Sequence, residues 1–106
     1  MDDATREQIK GTVEQNRIVL FMKGSRMFPQ CGFSAQVVNI LKQLGAEFQD
    51  VNVLTDPGVR QGIKEFSNWP TIPQLYVDGK FVGGCDIVTD LFERSELSKL
   101  IGVDGS

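Results

Sequence analysis

The sequence holds two cysteines and no histidine, so its thiol chemistry rests on Cys31 and Cys85. Cys31 opens the run Cys31-Gly32-Phe33-Ser34, downstream of Lys23-Gly24, where a loop passes into helical periodicity. A helix N-terminus and a nearby cation both favour thiolate over thiol, which makes Cys31 the candidate nucleophile or metal ligand. Ser34 stands where a Cys-x-x-Cys redox pair carries its second thiol, so no resolving cysteine is at hand. Two thiols without imidazole cannot complete a four-ligand zinc or iron-sulfur site in one chain unless carboxylates fill in, and iron-sulfur irons prefer sulfur. Any such cluster must borrow ligands. Cys85 follows Gly83-Gly84 and reads as a small buried hydrophobe beside a hairpin. The alternative is a second redox thiol that pairs with Cys31 or with another chain.

These residues need elements to hold them. Residues 3 to 16 carry Ile9 and Val13 at i, i+4 spacing with charged residues on the other faces, which predicts an amphipathic helix. Ile18 to Met22 is a continuous apolar run suited to a buried central strand. Pro29 cannot lie inside a helix, so the next helix begins near Cys31, carries Phe33, Val37, Val38, Leu41 and Leu44, and stops at Gly45. Phe48 to Val53 alternates like a half-buried strand. Asp56 and Pro57 supply an N-cap and first-turn proline for a third helix with Val59, Ile63 and Phe66 buried, leaving Arg60 and Lys64 as a basic pair on another face. Lys64 reads as a solvated lysine there, with a ligand contact as the alternative.

Trp69-Pro70-Thr71-Ile72-Pro73 breaks the periodicity, and Trp69 is expected to pack on the third helix. Gln74 to Val77 and Lys80 to Gly83 flank Asp78-Gly79, a strong two-residue hairpin signal. Asp86 is expected to cap the following helix, with Ile87, Val88 and Leu91. Ser95 is expected to cap a last short helix bearing Leu97, Leu100 and Ile101, with Gly102 as its end and a loose tail beyond. The order helix, strand, helix, strand, helix, hairpin, helix predicts an α/β fold: a mixed four-stranded sheet with helices on both faces.

Composition narrows the function classes. The 106 residues suffice for one domain with its own core, and 41% hydrophobic with 24% charged residues is the balance of a globular protein. A net charge of -3 and the lack of any basic run argue against nucleic-acid binding. Met1-Asp2-Asp3 and the short first apolar run predict neither a signal peptide nor a membrane span. Sparse cysteines fit a reducing compartment. The bacterial cytoplasm is expected, with a plastid or mitochondrial matrix as the alternative if a transit peptide has been removed.

Three motifs then converge: Cys31-Gly32-Phe33-Ser34, Trp69-Pro70-Thr71-Ile72-Pro73-Gln74-Leu75 and Gly83-Gly84-Cys85-Asp86. With Lys23-Gly24 they resemble the monothiol glutaredoxins of the Cys-Gly-Phe-Ser class over essentially the whole chain. Only Ser25-Arg26-Met27-Phe28 is less typical. The resemblance implies a thioredoxin-like fold, a single glutaredoxin domain over 1-106, and a cis Pro73. It also implies a glutathione site. Lys23 and Arg60 would pair with the glycine carboxylate, the Ile72 backbone would bond the cysteinyl part, and Cys85-Asp86 would hold the γ-glutamyl end.

Without a resolving thiol, Cys31 either recruits a second glutathione or serves as a ligand. Two Cys31 thiolates from a homodimer and two glutathione thiolates make the four terminal ligands that a 2Fe-2S cluster takes. The implied role is cluster carriage to apo iron-sulfur recipient proteins, within iron or redox homeostasis. The main alternative is a glutathione-dependent oxidoreductase that deglutathionylates proteins through Cys31. A third reading is a module sensing iron or redox state through a BolA-like partner.

Overall fold

The computed structural model describes residues 1-102. Its first helix, α1 (Asp3–Gln15), starts where the Asp2 carboxylate accepts the Thr5 N–H at 2.8 Å. Strand β1 (Ile18–Met22) follows and is buried along its whole length. Next come α2 (Gly32–Gln43), β2 (Gln49–Asn52), a 3-10 turn (Val53–Thr55) and α3 (Pro57–Ser67). The hairpin β3 (Gln74–Val77) and β4 (Lys80–Gly83) leads into α4 (Cys85–Glu93) and α5 (Glu96–Ile101). No described helix is long and apolar enough to cross a membrane.

The sheet runs β2-β1-β3-β4, with β1 and β2 parallel and the other pairs antiparallel. The apolar run of β1 is explained by its central place, because its alternating side chains enter two cores. Ile18, Leu20 and Met22 pack with Val37, Val38 and Leu41 of α2 and with Val88, Leu97 and Ile101. Val19 and Phe21 pack with Ile9 and Val13 of α1, Val59 and Ile63 of α3, and Tyr76. Helices therefore cover both faces, α2, α4 and α5 on one and α1 and α3 on the other. This is the mixed sheet with helices on both faces that the element order predicts, and the thioredoxin-like arrangement that the resemblance implies. Truncating a fully buried member such as Leu20 costs about 2–5 kcal/mol.

Local chemistry sets the boundaries. Gly45 at φ 68° closes α2, with its N–H donating to the Lys42 carbonyl, and Asp56 caps α3 through the Val59 N–H at 3.1 Å, both as predicted. Strand β2 is shorter than predicted at both ends. The Asn52 amide oxygen accepts the Leu54 N–H at 3.0 Å, and this local bond turns Val53 out of the strand into the 3-10 turn. Helix α4 starts earlier than predicted. Gly84 is its N-cap, its carbonyl accepting the Val88 N–H at 3.0 Å, so Asp86 lies inside the first turn rather than capping it. Ser95 precedes α5 in a left-handed conformation without side-chain capping. Leu97 and Ile101 are buried, whereas Leu100 is exposed. The tail beyond Gly102 lies outside the described residues.

Candidate functional site

The thiol loop between β1 and α2 is tied down at several points. Gly24, at φ 90°, bridges to Pro29, and a β-carbon at Gly24 would meet the Phe28 carbonyl oxygen at 2.5 Å and the Gln30 nitrogen at 2.6 Å. Only glycine fits there. The Asn52 amide oxygen accepts the Gly24 N–H at 3.0 Å, and Asp50 accepts both the Arg26 N–H at 2.9 Å and its Nε at 3.3 Å. The Arg26 guanidinium also lies 4.2 Å over the Phe48 ring. Burial pushes the Asp50 carboxyl up, but the Arg26 bonds more than reverse this and leave it below its ordinary value. The loop that departs from the familiar pattern is thus anchored through Arg26, with Met27 and Phe28 exposed at its tip.

At the end of this loop Cys31 is the N-cap of α2 and half-buried. Its thiol is held below the ordinary range, first by the Ser34 backbone N–H and then by the Phe33 N–H, with smaller help from the Lys23 charge and the Ser34 hydroxyl, against an opposing effect of burial. The unsatisfied amides of a first helical turn explain the direction. Ser34 does more than leave out a thiol. It is fully buried, and its Oγ accepts the Lys23 N–H at 3.1 Å, joining the end of β1 to the first turn of α2. The sequence marked Ser34 by what it lacks, and its buried acceptor role emerges only from the fold.

Cys31 faces a cavity of ≈ 500 Å³ lined from several elements: Lys23 after β1, Phe33 on α2, Lys64 on α3, residues 69-73, and Gly84 to Ile87 at the start of α4. Four of the predicted site residues besides Cys31 meet there, namely Lys23, Ile72, Cys85 and Asp86. Arg60 does not: it is exposed and outside the lining, while Lys64, one turn later, is half-buried within it. The i, i+4 spacing placed the two on one face of α3, but only the packing of α3 could say which one borders the cavity. Phe33 is exposed at the rim of the cavity. Trp69 is tied to α3 through its backbone N–H on the Lys64 carbonyl at 3.0 Å, yet its ring packs at a tilt against Phe81 of β4, with centroids 5.6 Å apart.

Two features suit this cavity to a peptide-like ligand. Ile72, joined to Pro73 by a cis peptide as expected, has no backbone hydrogen bond among the described residues. Lysines on one side and the Asp86 carboxylate on the other supply opposite charges, and the start of α4 adds free backbone amides beside Asp86. Cys85 lies in the same lining but is buried. Desolvation pushes its thiol up, the Thr89 hydroxyl at 4.0 Å opposes this, and the charges of Asp86 and Cys31 add to the rise.

Residues 18–82 match the glutaredoxin family. A probable monothiol glutaredoxin 2 of Rickettsia typhi is 50% identical over 95% of this chain and 91% of its own length. The chain belongs to the glutaredoxin family, in its monothiol class. The chloroplastic monothiol glutaredoxin-S14 of Arabidopsis thaliana is 53% identical over 91% of this chain and 58% of the plant protein. Among solved structures, reduced apo poplar GrxS14 matches with a TM-score of 0.82 at 49% identity, covering 92% of this chain and 89% of that one. Holo poplar glutaredoxin C1 matches with a TM-score of 0.84 at 27% identity, over 94% of this chain and 88% of that one. Membership accounts for a reactive thiol at a helix start facing a cis-proline segment, and ties the chain to glutaredoxin redox function.

Proposed function

We propose that this monothiol glutaredoxin binds glutathione in the Cys31 cavity and, as a pair of chains, carries a 2Fe-2S cluster to apo iron-sulfur proteins. The observation that carries the proposal is the position of Cys31: a partly exposed thiol with its acidity raised by helix amides, beside a cavity with peptide-binding features and with serine in the place of a resolving cysteine.

Glutathione fits the cavity by chemistry. Its glycine carboxylate is assigned to Lys23 and Lys64, with Arg60 adding positive charge from the same face of α3. Its cysteinyl part is assigned to the free backbone of Ile72, in the manner of an added strand. Its γ-glutamyl end is assigned to Asp86 and the amides at Cys85-Asp86, which open α4.

The donor set also fits the cargo. With two cysteines and no histidine in the chain, and Cys85 buried, Cys31 is the sulfur assigned to the cluster from one chain, and the remaining ligands are assigned to sources outside it. A second copy and two glutathione thiols bring the sulfurs to the four that a 2Fe-2S cluster takes. Exposed Met27, Phe28 and Phe33 supply apolar surface around the thiol for the second copy, a BolA-like partner or a recipient. Bacterial, chloroplast and mitochondrial relatives frame the assignment to a bacterial-type cytoplasm.

Anaerobic reconstitution with iron, sulfide and glutathione, followed by absorbance, circular dichroism and sizing, tests this. A brown dimer that requires glutathione is expected. A colourless monomer that rapidly reduces a glutathione mixed disulfide would favour the second reading, deglutathionylation by Cys31, which the acidified and accessible thiol also supports.

A further inference from the structure

Gln74 is fully buried, a rare place for a carboxamide unless every polar atom is satisfied. Here they are. Its Nε2 donates to the carbonyl oxygens of Trp69 at 3.1 Å and Thr71 at 3.2 Å, and its Oε1 accepts the Tyr76 hydroxyl at 3.3 Å. The two carbonyls admit only the donor end of the side chain, so the network sets the amide orientation. Gln74 and Tyr76 share one face of β3 through the two-residue period of the strand, and this is the face covered by α1 and α3.

Tyr76 is itself buried, which pushes its hydroxyl up to about 12 and keeps it protonated as a donor. Its ring packs on Phe21 and Phe81 at 5.5 Å, and Phe81 in turn carries the Trp69 ring at 5.6 Å. Residues 69-73 are therefore gripped twice, by an aromatic stack through Trp69 and by the carboxamide through the Trp69 and Thr71 carbonyls. The segment so held is a wall of the Cys31 cavity.

We infer that Gln74 is a positioning residue: its carboxamide, oriented by Tyr76, holds residues 69-73 so that the Ile72 backbone faces the cavity's ligand. The clamp stands on the hydrogen bonds alone, and only its consequence for ligand affinity rests on the glutathione reading. No other side chain of this size both donates two hydrogen bonds from one nitrogen and accepts a third, which is why methionine or glutamate cannot replace it.

Trp69 is the sole tryptophan, so its emission and its quenching by acrylamide report on the segment directly. The test compares wild type with Gln74→Met, Gln74→Glu and Tyr76→Phe, and with Ile101→Ala as a variant of the core on the other face of the sheet. In Gln74→Met and Gln74→Glu, Trp69 quenching is expected to rise and glutathione affinity, measured by calorimetry, to fall roughly tenfold. Tyr76→Phe, which preserves the ring, is expected to shift both in the same direction with an affinity loss of about threefold; it also carries the test if the Gln74 variants do not fold.

Ile101→Ala should lower the melting temperature without moving either readout. Trp69 quenching that matches this control in the Gln74 and Tyr76 variants would overturn the clamp. Increased quenching with unchanged glutathione affinity would overturn the positioning role. If wild type binds no glutathione, the glutathione reading and the affinity clause fall together, while the Trp69 response still decides the clamp.

Discussion

Cys31 and Cys85 line one cavity, and each sits at the start of a helix, yet their acidities move in opposite directions. Cys31 is the N-cap of α2, half-buried, with the Ser34 and Phe33 amides aimed at its sulfur. Cys85 is the first residue within α4, buried against the sheet, with the Thr89 hydroxyl as its polar neighbour and Asp86 next to it. A helix N-terminus thus acidifies a thiol only when the sulfur lies where the free amides point and keeps some solvent; one residue further in, desolvation wins. The cavity holds one thiol shifted toward thiolate and one shifted away from it.

The widest separation between the two thiols should come from removing each sulfur in turn. Cys31→Ser should abolish cluster assembly and thiol reactivity, whereas Cys85→Ser should retain both, as absorbance after anaerobic reconstitution would show. Loss of the cluster in Cys85→Ser would break the comparison.

Gly24→Ala attacks the Cys31 side alone. Its β-carbon would collide with backbone at Phe28 and Gln30, and left-handed geometry adds to the cost, so a loss of about 3 kcal/mol is expected in urea unfolding. Cys31 reactivity should suffer in the folded variant, with Cys85 untouched.

The pH dependence of alkylation, followed by peptide mass, sharpens the comparison without mutation. The thiolate is the reactive form, so the lowered Cys31 should react with a midpoint below the ordinary cysteine value and the raised Cys85 with a midpoint above it. The same signs govern stability. The depressed Cys31 stabilises the fold above its unfolded value and loses that contribution as pH falls through its folded one, whereas the raised Cys85 makes the fold less stable as pH climbs past the ordinary thiol value.

Ser34→Ala should have the smallest effect. It orphans the Lys23 N–H and removes a hydroxyl that favours the thiolate, so about 1 kcal/mol of stability should be lost and the Cys31 midpoint should rise slightly, read by the same two methods.

Much of this was legible in the residues. The β1 run, the Gly45 stop, the Asp56-Pro57 start and the Asp78-Gly79 turn each name their structure through side-chain periodicity or a backbone constraint that acts locally. The same is true of the reactive cysteine, because an apolar-periodic run beginning at Cys31 implies a helix start and its amides. Boundaries moved where a side chain outside the period intervened, as Asn52 did at the end of β2.

Tertiary structure decided what depends on how elements face one another. The i, i+4 pair Arg60 and Lys64 is symmetric in sequence, and the packing of α3 put Lys64 in the cavity lining and left Arg60 outside it. Ser34 and Gln74 are polar residues with no local reason to be buried. Each meets a backbone group that the folded chain turns toward it, the Lys23 N–H for Ser34 and the Trp69 and Thr71 carbonyls for Gln74. The sequence by itself determined the elements and the one thiol placed at a helix N-cap, through interactions that span a turn or a hairpin. The fold alone decided that Lys64 borders the cavity and that Ser34 and Gln74 are buried, because burial is a property of how helices and sheet close around a site.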